Sequence, residues 1–484
     1  MIQEELIELL QSIQMSRCES RTLELKSARQ GCPKRLYDTL SSFSNQDDGG
    51  VIVFGVDESN NFEECGVYNP QNLQREINEQ CLQMEPIVRP LLTVAEKDGK
   101  CFMAAEIPGI DLTDRPCFYK GKGRLKGSYI RSGESDAPMT EYEVYSYEAF
   151  RKKYQDDIRI VERTTFDVLD SELLNNYMKM LKSKKENLKA LPDKSIYELM
   201  SITKKGNVTL SALMLFCKYP QVFFPQLCIT AVVVPGTEIG ELGAQGERFI
   251  DNQRIEGCLP EMLDKAMSFV RKNMKVKTVI DSSTGRRMDI AEYPIVAIRE
   301  AILNSLVHRD YSVHTEGMPI QILMYNDRIE IKNPGGIYGR LTIDQLGKMQ
   351  PDTRNPVIVT AMEVMEFTEN RYSGIPTIRR EMKEHGLYEP IFQDDRGTFI
   401  VTLRNQIVND NEAYTTDISE IEKRLLDFLE MPRSRKEIAE HLGIRTISYA
   451  IQTYITPLID KKLVKMTIPE SPRSHSQQYV RINA

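Results

Sequence analysis

At 484 residues the chain is too long for one ordinary core, and roughly 100–200 residues per domain predicts about three domains. A hydrophobic share of 41% with 27% charged residues describes a soluble, globular class; no apolar run approaches the roughly 18 residues that span a bilayer, and the acidic start Met1–Glu5 is unlike a secretory signal. A net charge of −7 excludes a polycation as a whole, and nine scattered cysteines without a C-x-x-C pair favour reduced cytoplasmic thiols over a disulfide frame or a zinc site.

Residues 1–15 fit a short amphipathic helix, and Thr22–Lys26 alternates as a strand does. Pro33–Asn45 fits a helix with Leu36, Leu40 and Phe43 on one face. Asp47–Gly50 is a turn, and Val51–Val56 reads as a buried strand ended by Asp57. Cys101–Ile107 is a further strand. Arg115–Arg131 then holds six basic residues and no acidic one. Lys120, Lys122, Arg124, Lys126 and Arg131 are therefore candidate phosphate contacts, although a basic run is often only a solvated surface.

The stretch CESRTLELK from Cys18 to Lys26, with SNQDDGGVIVFGVD from Ser44 to Asp57, resembles the AlbA-type DNA-binding domain related to the Schlafen core. The resemblance covers about the first third of the chain and implies nucleic-acid binding, to DNA or RNA. It also implies candidate nuclease carboxylates at Glu19, Glu24 and Asp57, since clustered carboxylates can hold divalent metals that clamp a phosphodiester. Alternation with Leu23 and Leu25 offers another account: Glu24 and Lys26 simply occupy the wet face of a strand.

Residues 151–204 read as a charged, helical linker region. Ser211–Tyr219 and Gly257–Lys275 fit helices, and Leu227–Val234 fits a strand. Next comes the apolar helical pattern from Ile298 to Tyr311, which places Glu300 and Asn304 four residues apart and so on one face. Strand patterns at Pro319–Tyr325 and Arg328–Lys332 lead to the turn Asn333–Gly336.

Glu-x-x-x-Asn followed by two strands and a glycine turn resembles the GHKL ATPases. Residues 290–405 resemble the GHKL-like domain of transcriptional regulators that also carry an AlbA-type domain, with Arg354–Pro356 and Ser373–Ile375 as further matches. The resemblance implies ATP and magnesium as cofactors and a homodimer. It gives Glu300 the role of water-activating base and Asn304 that of magnesium ligand. Asn333, Gly335, Gly336 and Gly374 would complete the nucleotide site. Two departures stand out. Asn333 occupies the position of the family's adenine-reading Asp, and Tyr372–Pro376 carries one glycine and a proline where a phosphate lid needs free N–H groups. A nucleotide site and an ATPase-shaped scaffold both remain open on these residues. His308–Asp310 lacks the companions of a kinase catalytic loop. It reads instead as a helix end, with cationic His308 or Arg309 near the C-terminus.

Residues 417–484 follow a polar linker. Ile418–Glu430 fits a helix, and Ser434–Glu437 has the spacing of a capping box that opens the next one. A third helix is expected from about Thr446. Leu463–Ile468 and Gln478–Ile482 fit strands around a polar wing. The order resembles a winged helix-turn-helix, which implies DNA contacts from Arg435, Lys436, Arg445, Tyr449, Gln452 and Arg473.

The expected fold is thus α+β and multidomain: an AlbA/Schlafen-like domain at 1–150, a linker region at 151–204, a GHKL-like α/β sandwich at 205–405 and a winged helix at 417–484. The expected function is DNA binding in transcriptional regulation with an ATP module. The alternative is a metal-dependent nuclease acting on RNA or single-stranded DNA, gated by ATP.

Overall fold

The computed structural model describes residues 1–133, 135–280, 286–368, 373–395 and 397–406, with shorter stretches between 425 and 482. It divides into two compact units: Met1–His385 with Glu389–Arg404, and Gly386–Tyr388 with Asn405–Ala484.

The first unit opens with a four-stranded sheet. Leu23–Lys26 runs parallel to Gly50–Phe54, which pairs antiparallel with Lys100–Ile107 and through it with Leu91–Lys97. Successive strand residues point to opposite faces. Ile52 and Phe54 join Leu40, Phe43, Leu73 and Ile77 under the helices Tyr37–Ser44 and Pro70–Leu82. Val53 and Leu25 meet Leu6, Leu10 and Ile13 of the helix Gln3–Ser16 on the other face. The sheet is buried on both sides, which explains the unbroken apolar run Val51–Val56. It also corrects one expectation: Glu24 is buried, at 7% exposure, and does not sit on a wet face.

Past the helix Glu141–Lys152, the expected linker region contains the helices Ser171–Lys184 and Asp193–Leu199. A six-stranded sheet follows, in the order Asp251–Ile255, Ile229–Val233, Ile320–Met324, Arg328–Pro334, Thr398–Arg404, Ile391–Asp395. All pairs are antiparallel except Ile229–Val233 with Ile320–Met324. The helix Ile295–His308 packs against Leu259–Asn273 and Gly374–Glu384. It buries Ala297, Ile298, Ala301, Ile302, Leu303, Ser305, Leu306 and Val307. A helix apolar on nearly every side must lie inside, and Arg299, Glu300 and Asn304 are among its residues that line the cavity described below.

In the second unit, Arg433–Ser434, Gln478–Arg481 and Val464–Met466 form a three-stranded antiparallel sheet. Leu425, Leu429, Ile438, Ile455, Leu458 and Tyr479 make its core. Ser434 and Glu437 exchange the capping-box hydrogen bonds at the start of the helix Arg435–His441. Arg445, Tyr449 and Arg473 lie outside the described residues, as do the side chain of Gln452 and most of the expected third helix.

Candidate nucleotide cavity and nucleic-acid interface

A cavity of about 630 Å³ opens between the helix Ile295–His308 and the six-stranded sheet. That lies within the roughly 300–1,000 Å³ of ordinary ligand pockets. One end is charged and polar. Glu300 and Asn304 face Gly374, the first residue of the helix Gly374–Glu384. A Cβ placed on Gly374 would lie 2.8 Å from Asn304 Nδ2 and 3.4 Å from Glu300 Oε2. Only glycine lets the helix start approach both side chains so closely. Arg299 donates to Glu300 Oε1 at 3.0 Å and to the carbonyl of Phe367 at 2.7 Å, which fixes the orientation of the carboxylate.

The other end is apolar, with Ile331, Phe399 and Val401 on the sheet floor around Asn333. Asn333 is 5% exposed, and its Oδ1 has no hydrogen-bond partner. The following turn needs glycine. Gly335 has φ +104°, and a Cβ there would sit 2.1 Å from Arg354 Nη1. Gly336 presses against the carboxylate of Asp394. Arg354, 8% exposed, donates through Nη2 to the Gly336 carbonyl at 3.0 Å, whereas its Nη1 makes no hydrogen bond and stands 4.0 Å from Asp310 Oδ2. Asn333 and Arg354 thus both line the cavity, and a buried polar atom without a hydrogen bond, such as Asn333 Oδ1, carries a desolvation cost.

All five sequence-predicted nucleotide residues and Glu300 line this one cavity. Arg354 was quoted in the motif but given no role; a buried arginine cannot be told from a surface one by local sequence. His308 departs from expectation. Burial, helped by nearby Arg354, pushes its pKa down to about 4, so it is neutral at pH 7 and gives the helix end no charge.

The N-terminal carboxylates also depart from expectation. Arg131 is a buried hub. Its Nη1 donates to Glu24 at 2.7 Å and to Asp136 at 3.0 Å, and Nη2 reaches the carbonyls of Ser20 and Leu23. Glu24 also pairs with Lys26. Glu19 accepts from the amide of Leu25 at 2.7 Å and lies 3.9 Å from Arg131. Desolvation raises the Glu19 pKa to about 7, against the lowering effect of that backbone bond. Asp57 is half-buried in the two-residue strand Val56–Asp57, which pairs with Glu63–Glu64. Glu19 and Glu24 are thus committed to a structural ion network. Among the described residues no group of three or more His, Cys, Asp or Glu is arranged to hold a metal. Burial also removes Arg131 from the presented cations.

The other basic residues divide. Lys120, Lys122 and Lys126 are exposed, whereas Arg124 is half-buried and paired with Glu148. Lys122 Nζ lies 4.7 Å over the Tyr37 ring, which stacks on Tyr119 at 4.4 Å. In the second unit Lys436 is exposed, and Arg435 is half-buried with Nε 3.3 Å from the Tyr479 hydroxyl.

Comparison with known proteins follows the same division. Residues 19–140 match the family model "Schlafen, AlbA_2", and residues 317–403 match "Putative ATP-dependent DNA helicase recG C-terminal". Residues 421–482 match the C-terminal domain of Fic-like proteins, "filamentation induced by cAMP", and residues 147–230 match a domain of unknown function. The chain is therefore a mixed α+β, multidomain protein with a Schlafen/AlbA_2-type domain and an ATPase-like domain. No curated protein matches it. A crystal structure of the DIP2311 protein from Corynebacterium diphtheriae aligns over 99% of this chain and 97% of its own, at 16% identity and TM-score 0.41. The N-terminal domain of a RecG-related protein from Nitrosomonas europaea, solved by NMR, aligns over 27% of this chain and 89% of its own, at 28% identity and TM-score 0.23.

Proposed function

We propose that this protein is a DNA-binding transcriptional regulator whose central cavity binds a purine nucleoside triphosphate. The observation that carries the nucleotide reading is the polarity of the cavity. Glu300, Asn304 and the helix start at Gly374 stand at one end, and an apolar floor with Asn333, whose Oδ1 makes no hydrogen bond, and Arg354 stands at the other. A triphosphate suits the first end, where a helix N-terminus offers N–H groups and a positive dipole. A base suits the second.

Asn304 contributes one hard amide oxygen. Magnesium held chiefly by phosphates and water asks little more of a protein than that. Glu300 would orient water near the phosphates, held in place by Arg299. The match of residues 19–140 to the Schlafen/AlbA_2 model supports DNA as the partner, with Lys120, Lys122 and Lys126 as the exposed cations of that domain. The basic C-terminal module, read as a winged helix, would add a second contact, and a homodimer belongs to the same proposal. Nine free cysteines agree with a cytoplasmic location, and among the described residues no helix is long and apolar enough to cross a membrane.

The test is calorimetric titration of the full chain with ATP and a non-hydrolysable analogue in magnesium, alongside duplex-DNA binding with and without nucleotide. Micromolar ATP binding lost in Asn304→Ala, with DNA affinity that falls steeply as salt rises, is the expected result. A protein that binds neither nucleotide nor DNA overturns the proposal.

A further inference from the structure

The base end of the cavity shows what kind of purine it reads. This inference rests on the nucleotide reading above and goes beyond it. The amide of Asn333 is buried, and no hydrogen bond pins it among the described residues; its Oδ1 is unpartnered. The terminal torsion of asparagine is broad and roughly two-fold. An unpinned amide can therefore present either its carbonyl oxygen or its NH₂ to a ligand without breaking a bond inside the protein. A carboxylate at the same place would present acceptors only.

The 6-position separates the two purine classes. Adenine carries an NH₂ donor there, with an acceptor at N1. Guanine and hypoxanthine carry an O6 acceptor there, with a donor at N1. An asparagine amide complements either pair by turning over. Arg354 adds weight to the 6-oxo side. Its Nη1 lies against the Gly335 backbone, where no Cβ could fit, and makes no hydrogen bond, the Asp310 carboxylate standing 4.0 Å away. O6 and N7 of a 6-oxopurine are both acceptors suited to an arginine donor, whereas adenine offers only N7 on that edge.

We infer that this cavity binds 6-oxopurine nucleotides as well as adenine nucleotides, and that Asn333 is the residue that permits both. The experiment is titration of the full-length protein with ATP, GTP, ITP and CTP in magnesium, for wild type and Asn333→Asp. ITP isolates the 6-position because it lacks the 2-amino group. In the wild type, ATP, GTP and ITP should bind within about tenfold of one another, and CTP at least about tenfold more weakly than any of them. In Asn333→Asp, affinity for GTP and ITP relative to ATP should fall by about tenfold or more, because two acceptors then face each other. The melting temperature of the variant reports whether it is folded.

Wild-type preference for ATP over both GTP and ITP by more than about a hundredfold overturns the inference and leaves the nucleotide reading intact. So does an unchanged ATP-to-GTP ratio in Asn333→Asp. Equal binding of CTP overturns it as well, since the base is then not read. Failure of every nucleotide to bind removes the nucleotide reading and the inference together. The wild-type comparison decides the matter even if the variant does not fold.

Discussion

The hydroxyl of Tyr142 donates to Asp310 Oδ2 at 2.8 Å, and so ties the helix Glu141–Lys152 to the residue beside the cavity's glycine turn. Asp310 donates its own amide to the Pro334 carbonyl, and its other carboxylate oxygen accepts from the amide of Ser312. Gly397 lies on the Tyr142 ring, where a Cβ would come within 2.3 Å of a ring carbon. One side chain from the helix that follows the Schlafen/AlbA_2-type domain thus touches Asp310 and Gly397, whose backbones bond Pro334 and Gly335 of the turn. Tyr142→Phe keeps the ring and removes only the hydrogen bond to a charged acceptor, which is worth about 1.5–3 kcal/mol. Denaturant unfolding should show a loss of that order in the first unit. A loss under about 0.5 kcal/mol would mean that the contact does not hold the turn.

Asp157 provides a pH-dependent counterpart. It is fully buried, and its Oδ2 accepts from the amides of Val357 and Ile358 at the start of the helix Pro356–Val364. A helix N-terminus favours the carboxylate, but desolvation outweighs it and raises the pKa from 3.8 to about 6. Because the folded value is the higher one, this group's stabilisation is complete below about pH 3.8 and is lost as pH rises through about 6. Asp157→Asn keeps an acceptor and no charge. Its unfolding free energy relative to wild type should therefore rise between pH 4 and pH 7, by about 1–3 kcal/mol. A parallel pair of stability–pH curves would show that Asp157 is not buried as described.

The ion network around Arg131 yields the third prediction. Arg131→Met leaves Glu24 and Asp136 buried without their shared cation, and breaking a buried pair from one side costs about 3–5 kcal/mol. Glu19→Gln should act oppositely. With its pKa raised to about 7, ionised Glu19 is a burden above that pH, and the amide can still accept from Leu25. At pH 8 this variant should match or exceed wild-type stability, and the difference should vanish below about pH 4.5. Loss of stability at pH 8 in Glu19→Gln would show that attraction to Arg131 outweighs the desolvation of the Glu19 charge.

This network also marks the limit of local sequence reading. The strands Leu23–Lys26 and Gly50–Phe54 and the helix Ile295–His308 follow from short-range patterns: alternation in the first strand, a continuous apolar run in the second and an apolar helical pattern in the helix. The pairing of Arg131 with Glu24 joins residues 107 apart, and Tyr142 with Asp310 residues 168 apart. No spacing rule reaches so far, so a buried arginine was read as one of a surface basic run. Asn333, Gly335 and Gly336 stand out in the sequence because the chemistry of the turn is local, and all three line the cavity. Arg354 acquires meaning only once the fold carries it over Gly335.

Gly374 separates binding from stability. As the first residue of the helix Gly374–Glu384, it could carry alanine at no backbone cost, and alanine is the better helix former by up to about 1 kcal/mol. Yet the added Cβ would lie 2.8 Å from Asn304 Nδ2, between the two side chains proposed to face phosphate and magnesium. Gly374→Ala should thus leave the melting temperature unchanged or slightly raised while weakening ATP by about tenfold or more, as even a small misplacement at a preorganised site does. Differential scanning fluorimetry and calorimetric titration on the same sample make the comparison direct. Equal ATP affinity in Gly374→Ala and wild type would remove this end of the cavity from the nucleotide site, because no ligand could lie against Asn304 and ignore the methyl group.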